Sequence, residues 1–210
     1  MRVLWLSLAI VLVDHATKLL AKFELEPLGR SVRIVGDLFK FTYTENPGMA
    51  FGLELGSKLF LTLFSIAATV LIVVYLWHVR TAPRGYRLAL AFVLGGALGN
   101  VIDRVFYGAA FGECFPSPPG MERLFYGCVI DFIHLDVGVL QIPEAIPGIG
   151  GGGYALFPIG NVADLAIIAG VVLVLLTQGA FQRHVEAQSQ RPALSTPAAA
   201  SDLPDSPPRV

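Results

Sequence analysis

Residues 59–77 read LFLTLFSIAATVLIVVYLW, a run without one charged side chain. A helix needs about 20 apolar residues to cross the hydrocarbon core of a bilayer, so this run decides the class of the protein. Three more accompany it: Val3–Ala21, Leu88–Phe106 and Val162–Gln178, the last led in by Phe157-Pro158. In lipid every backbone N–H and C=O must be satisfied within the protein, which leaves helices or closed barrels. These runs are too long and too uniformly apolar for barrel strands. Composition agrees: 54% of the 210 residues are hydrophobic and 15% charged, against about 25% charged in soluble domains. The expected fold is a mainly α membrane protein with four transmembrane helices in one domain over residues 1–180. A net charge of −1 gives no reason to expect a nucleic-acid partner. No dinucleotide, nucleotide-phosphate or zinc-ligand motif occurs, so the reading calls for no metal and no cofactor.

Basic residues set the expected orientation. The short connection His78–Arg87 holds Arg80, Arg84 and Arg87 with no acid, Arg2 precedes the first span, and Arg183 and Arg191 follow the fourth. By the positive-inside rule, both termini and this connection are cytoplasmic and the two long loops lie outside. Arg2 and Val3–Val13 have the outline of a secretory signal, but Asp14 and Lys18 interrupt it and no small-x-small cleavage site follows, so the segment is read as a span.

Loop one, about 23–58, alternates apolar and polar residues in Ser31–Val35 and Leu38–Thr44 around Gly36-Asp37. That period of two predicts a small β-hairpin or sheet on the membrane surface. Loop three, about 107–156, contains Pro- and Gly-rich stretches at Glu113–Gly127 and Pro143–Gly153, read as flexible insertions. It also holds both cysteines, Cys114 and Cys128, which are either two thiols or, in an external loop, one disulfide. The Pro-, Ala- and Ser-rich tail 188–210 is expected to be disordered and cytoplasmic.

Against this background two carboxylates stand out. Asp131 lies in the apolar run Val129–Ile133, and Asp164 at the head of the fourth span. Ionisable groups near bilayer depth are costly, and they usually face a partner or a wet cavity. Two carboxylates that cannot both ionise are the basis of aspartic-protease chemistry. Other polar residues gather at the same predicted outer face: Asp14 and Lys18, Asn46 and Gly48, Asn100, Asp103 and Arg104, and Asn161. Each has a plainer reading. Asp14 and Lys18, spaced i, i+4, suit a structural pair. Asn100 suits a contact between helices, Asp103 and Arg104 an interfacial helix-end pair, and Asn161 an N-cap with Asp164 favoured by the helix dipole. Asp131 has no adjacent basic residue and the weakest plain reading.

Taken in order, Asp14-His15-Ala16-Thr17-Lys18, Asn46-Pro47-Gly48-Met49-Ala50-Phe51, Gly99-Asn100-Val101-Ile102-Asp103-Arg104, Val129-Ile130-Asp131-Phe132 and Asn161-Val162-Ala163-Asp164 resemble the bacterial lipoprotein signal peptidase family, signal peptidase II. Each motif is weak alone. Five in order against four spans are very specific. The resemblance implies an aspartic endopeptidase of the inner membrane that removes signal peptides from prolipoproteins, cutting before a cysteine that carries a diacylglyceryl group. It implies Asp131 and Asp164 as the catalytic dyad at the periplasmic face. It gives Asn46, Gly48, Asn100, Arg104, Asn161 and Ala163 roles in shaping or lining the site, and Asp14 and Lys18 a supporting role. The strand-like part of loop one resembles the family's periplasmic β-cradle, and sensitivity to globomycin is implied. The chain departs from the pattern at Gly160, where the family usually has Phe, and in two extensions, roughly Ala109–Cys128 and Pro143–Tyr154.

Neither a Ser–His nor a Cys–His pairing falls in the right place, since His134 lies in a loop with no partner serine. A carboxylate pair with a trapped water supplies the acid–base chemistry of amide hydrolysis. The competing expectation is a small proton-coupled transporter. Such a protein places its acids near the midplane and often carries an internal repeat, which this sequence lacks.

Overall fold

The computed structural model describes residues 2–48, 58–112, 123–141 and 151–190. Four helices are long and apolar enough to cross a membrane: Leu4–Leu28, Lys58–His78, Arg84–Phe111 and Val162–Ser189. In detail, α1 (Leu4–Leu20) runs on through a π-helical turn, Ala21–Leu25, and a 3₁₀ turn, Glu26–Leu28. The second span is α2 (Lys58–His78). The third is α3 (Arg84–Ile102), followed by a π-helical turn, Asp103–Tyr107, and one further turn, α4 (Gly108–Phe111). The fourth is α5 (Val162–Ser189). The first, third and fourth spans therefore continue well past their most apolar cores. Ser189 also places the start of the expected disordered tail inside a helix, and residues 191–210 lie outside the described residues.

Small residues on α3 let its neighbours close in, as expected where lipid gives helices no hydrophobic reason to associate. A Cβ on Gly95 would sit 2.9 Å from Ile10 Cβ of α1. One on Gly96 would run into the Ala163 carbonyl and come within 2.7 Å of Ile167 on α5, and one on Gly99 would lie 2.6 Å from Asp14 Oδ2. Ser7 on α1 donates to the Ala91 carbonyl of α3 (2.8 Å). At one end of the bundle an apolar core of Val3, Leu76, Val79, Tyr86, Leu90 and Leu94 is closed by Tyr86 stacking on Phe181, with centroids 4.2 Å apart.

The other end carries a three-stranded antiparallel sheet in the order β1 (Val32–Val35), β2 (Phe39–Asn46), β3 (Val129–Leu135). The hairpin expected in loop one is β1–β2. The third strand was not expected: the apolar run Val129–Ile133 of loop three lies in a sheet strand, buried over Val129–Phe132. Thr44 pairs with Asp131, Glu45 with Ile130 and Asn46 with Val129. With side chains alternating, Asn46 and Asp131 share one face. Glu45 and Ile130 share the other, where Ile130 packs with Ala21, Tyr107 and Phe132. A second, two-stranded sheet pairs β4 (Val139–Gln141) with β5 (Gly153–Ala155).

The π turn after α3 redirects its carbonyls. Those of Arg104 and Val105 accept the N–H groups of Gly127 (2.9 Å) and Phe125 (3.0 Å). Thr62 on α2 donates to the Phe125 carbonyl (2.8 Å), so residues 123–127 are clamped between two spans. Cys128, 2% exposed, is disulfide-bonded, and Cys114 lies outside the described residues.

Overpacking at the helix contact is directly testable. Gly96→Ala is expected to destabilise the protein by about 1–3 kcal/mol, the usual cost of forcing extra volume into a packed interface. This is read as a lowered melting temperature in detergent, with Gly36→Ala, which meets open space but needs a left-handed residue, costing less.

Candidate active site

Lys18 is the centre from which the site is built. Its ammonium is 1% exposed, ion-pairs with Asp14 Oδ2 (2.7 Å) and Asp103 Oδ2 (2.8 Å), and donates to Asn100 Oδ1 (3.1 Å). Each partner reaches onward. Asp14 Oδ1 accepts the Ala163 N–H of α5 (2.8 Å), one of the donors that a helix start leaves unpaired. Asp103 Oδ2 accepts the Ile130 N–H of β3 (3.3 Å). Asn100 Nδ2 donates to Asp164 Oδ1 (2.8 Å). One buried cation thus ties α1, α3, β3 and α5 together. Ala163 is fully buried, its Cβ against the gap left by Gly99.

Asn161 joins the two expected aspartates. Its Nδ2 donates to Asp131 Oδ1 (2.7 Å) and lies 3.2 Å from both Asn100 Oδ1 and the Ile130 carbonyl. Its Oδ1 accepts the Asp164 N–H (2.9 Å), and its own N–H donates to Asp164 Oδ2 (3.1 Å). That reciprocal pair is a capping box. The plain reading of Asn161 as an N-cap is therefore correct, and the cap is also what holds the two carboxyl groups in one network. Gly160, just before it, pairs with Ile133 through its N–H (3.0 Å) and carbonyl (2.7 Å), which fastens the start of α5 to β3.

Asn46 holds the other side of Asp131. Its Nδ2 donates to Asp131 Oδ2 (3.0 Å), while its Oδ1 accepts the Gly48 N–H (2.9 Å). Gly48 needs to be glycine. Its φ is +101°, and a Cβ there would stand 2.7 Å from Leu61 Cδ1 and 3.0 Å from Arg104 Nη1. The Arg104 guanidinium lies within electrostatic reach of Asp131, Asp164 and Asp103. The remainder of that motif, Met49–Phe51, lies outside the described residues.

Asp131 is 2% exposed, whereas Asp164 is half-buried at the head of its helix. Burial pushes the Asp131 carboxyl from 3.8 up to about 7, the nearby charge of Asp164 adds to the rise, and the hydrogen bonds from Asn46 and Asn161 oppose it. Asp131 therefore holds its proton up to about neutrality.

All ten sequence-predicted residues fall in this one region. His134 does not: its Nδ1 meets Thr42 Oγ1 (3.0 Å) on the sheet. A second buried cluster escaped the sequence reading. Lys22, 6% exposed, pairs with Glu26 (2.8 Å) and Glu45 (3.5 Å), and its ammonium sits 5.5–5.6 Å from the rings of Tyr43, Tyr107 and Phe111. Tyr43 and Tyr107 both reach Glu45 Oε1 (2.8 and 2.7 Å), and burial pushes the Tyr43 phenol up. The available signal was spacing: Lys22 follows Lys18 by one helical turn, and Glu45 adjoins Asn46. Among the described residues no group of three or more His, Cys, Asp or Glu is arranged to hold a metal ion.

Two outcomes follow from these contacts. Lys18→Met leaves Asp14 and Asp103 buried without their cation, and is expected to cost about 3–5 kcal/mol, the scale for breaking a buried ion pair; denaturant titration in detergent measures it. The raised Asp131 carboxyl keeps a proton that the unfolded chain releases between pH 3.8 and about 7. Its contribution to stability therefore falls as pH rises through that window and levels off above it. The melting temperature of the wild type minus that of Asp131→Asn is expected to decline over the same range.

Known proteins match the chain along most of its length. The family described as Signal peptidase (SPase) II matches residues 6–179. A lipoprotein signal peptidase of Amoebophilus asiaticus is 36% identical over 183 residues, 83% of this chain and 76% of the relative. Those of Porphyromonas gingivalis (37%, covering 81% and 80%) and Chlorobium phaeobacteroides (31%, covering 86% and 98%) are similar. Two solved chains described as bacterial membrane enzymes superpose with a TM-score of 0.56 at 21% and 22% identity; the first alignment covers 93% of this chain and 94% of the other, and the second 84% and 92%. At that identity the superposition speaks for the four-helix fold alone. The transporter alternative finds no support in these matches. With a family match over most of its length and relatives above 30% identity, the chain belongs to the signal peptidase II family of membrane peptidases.

Proposed function

We propose that the protein is an aspartic endopeptidase that cuts the signal peptide from diacylglyceryl-modified prolipoproteins, just before the lipidated cysteine, with Asp131 and Asp164 as the catalytic pair. The observation that carries this reading is Asn161, which hydrogen-bonds both carboxyl groups at once. A pair held in that way, one member protonated, supplies both halves of acid–base hydrolysis without a metal or covalent intermediate.

Asp164 is the carboxylate. It accepts hydrogen bonds from Asn100 and the Asn161 N–H and stands at the positive end of the α5 dipole. It takes a proton from a water lying between the two groups as that water attacks the scissile carbonyl carbon. Asp131 delivers its proton to the carbonyl oxygen. The tetrahedral intermediate then collapses. Its C–N bond breaks, the leaving amine takes the proton from Asp164, and the hydroxyl proton returns to Asp131. Asn46 and Asn161 orient Asp131, Asn100 orients Asp164, and Arg104 offers a cation to carbonyl or head-group oxygens. Asp14, Lys18 and Ala163 support the start of α5.

The distribution of Arg80, Arg84, Arg87, Arg183 and Arg191 supports an inner-membrane orientation with both termini cytoplasmic and the site at the periplasmic face. The diacylglyceryl group fixes the substrate's depth. Each buried CH₂ contributes about 0.8 kcal/mol to membrane partitioning, so two acyl chains hold the scissile bond near the interface. An enzyme with its carboxyl pair at that depth gains rate by positioning. Globomycin is expected to inhibit by occupying the same place.

The test is a gel-shift assay on a purified diacylglyceryl-modified precursor in detergent, with and without globomycin. Asp131→Asn and Asp164→Asn are each expected to lower turnover by about 100-fold or more, the range for loss of acid–base catalysis, while the protein stays folded in the membrane fraction. Turnover in the wild type should fall as pH rises through about 7, where Asp131 gives up its proton. Near-normal cleavage by both variants would remove the pair from the mechanism.

A further inference from the structure

The stretch between Asp131 and α5 contains a surface that the reaction does not use. Among the described residues, 137–141 and 151–160 include no charged side chain. Five of their large apolar side chains are exposed: Val137 (41%), Val139 (54%), Leu140 (53%), Leu156 (51%) and Phe157 (55%). An antiparallel hairpin in water ordinarily has one apolar and one polar face. Here apolar side chains are exposed on both sides. Val139 and Leu140 are consecutive in β4 and so project to opposite sides, and both are exposed. The neighbouring β1–β2 hairpin, by contrast, carries Arg33, Asp37 and Lys40, with Arg33 paired to Asp37 and Lys40 to Asp136. Past Asp136 the described residues carry no charge until Asp164, and the 142–150 connection, outside the described residues, holds one acid, Glu144.

The hairpin is also tied to the membrane-spanning surface at both ends. On one side it continues β3. On the other, Leu156 and Phe157 lie a few residues before Val162, whose helix turns Leu165, Ile168, Val172 and Leu176 outward as an exposed apolar stripe. Between them Gly160 is fixed to Ile133, so the hairpin cannot drift from the head of α5. A two-stranded sheet has open edges whose N–H and C=O groups hydrocarbon cannot satisfy. The interfacial layer satisfies them and also accommodates aromatic and aliphatic side chains.

We infer that the β4–β5 hairpin is a membrane-interface anchor, its Val139, Leu140 and Phe157 side chains seated in the lipid surface on the sheet side of the bundle. The occupant of this apolar surface is the phospholipid monolayer itself, continuous with the lipid around α5. Because the hairpin lies between Asp131 and Asp164 in the chain, the anchor fixes the level of both carboxyl groups relative to the bilayer. This assignment rests on the membrane fold and is independent of the peptidase chemistry.

Nitroxide labels at Val139→Cys, Leu140→Cys and Phe157→Cys test it. The full chain is placed in nanodiscs of phosphatidylethanolamine and phosphatidylglycerol, with unlabelled wild type confirming that the native cysteines do not react. Asp37→Cys, on the charged β1–β2 turn, and Leu165→Cys, on the α5 stripe, are the references. Power saturation with oxygen, which partitions into lipid, and with NiEDDA, which stays in water, reads the surroundings. At all three hairpin sites oxygen collisions are expected to exceed NiEDDA collisions several-fold, as at Leu165 and unlike Asp37. NiEDDA dominance at Leu140 or Phe157 would place the hairpin in water and overturn the anchor. Low accessibility to both reagents would mean that protein, from this chain or a second copy, covers it, which also overturns the proposal.

Discussion

An ammonium group with almost no access to solvent can persist only if its surroundings return what hydration supplied. At Lys18 that requirement is met by three oxygens from two helices, and it dictates much of what lies around it. Two acids must come to the same point, Asp14 one turn back on α1 and Asp103 at the end of α3. Two acids face one cation, and their carboxyl oxygens also accept the N–H groups of Ile130 and Ala163. Those two N–H groups belong to β3 and α5, the elements that carry Asp131 and Asp164. A buried pair of this kind is weak evidence for stability but a strong determinant of which arrangement is allowed, because any other leaves charge unpaired. The small residues of α3 are the steric half of the same arrangement. Without the gap at Gly99, Asp14 and Ala163 could not approach each other.

The two carboxyl groups come from different kinds of structure, and the difference bears on their chemistry. Asp131 is part of a sheet and closed in on all sides. Asp164 is on the first turn of a helix, half-open, and receives the N–H groups that such a turn offers. Asn161 meets both because it is the last extended residue before α5. Its backbone still follows the β-bridge from Gly160 to Ile133, while its side chain already caps the helix. A chemically symmetric pair is thus placed in unequal surroundings, one closed and one half-open.

The fold was legible where physics acts over a short window. Four apolar runs gave four spans, and alternation in Ser31–Thr44 gave a hairpin. The five polar motifs marked the residues around Lys18 and the two aspartates. The third strand was not legible, because Val129–Phe132 is buried on both faces and so shows no alternation. Its pairing with β2 bridges some 85 residues of sequence, as the Asn46–Asp131 bond shows, and nothing local encodes that register. The π turns after α1 and α3 were equally hidden; at the second, the carbonyl partners come from Phe125 and Gly127, distant from the helix pattern. The Lys22 cluster was overlooked for a related reason. Its glutamates and tyrosines sit on three separate elements, and only the folded sheet brings Glu45 under the end of α3.

The wide turn at Asp103–Tyr107 gives the molecule a mechanical property. By turning two carbonyls toward Phe125 and Gly127, it closes the base of the excursion that leaves the helix after Gly112 and returns at Arg123. Thr62 fastens that base a second time. The returning chain is therefore gripped at Phe125 and Gly127 before it enters β3. The seat from which β3 starts is thus shared by two spans, and a slide of one against the other would be transmitted to the sheet.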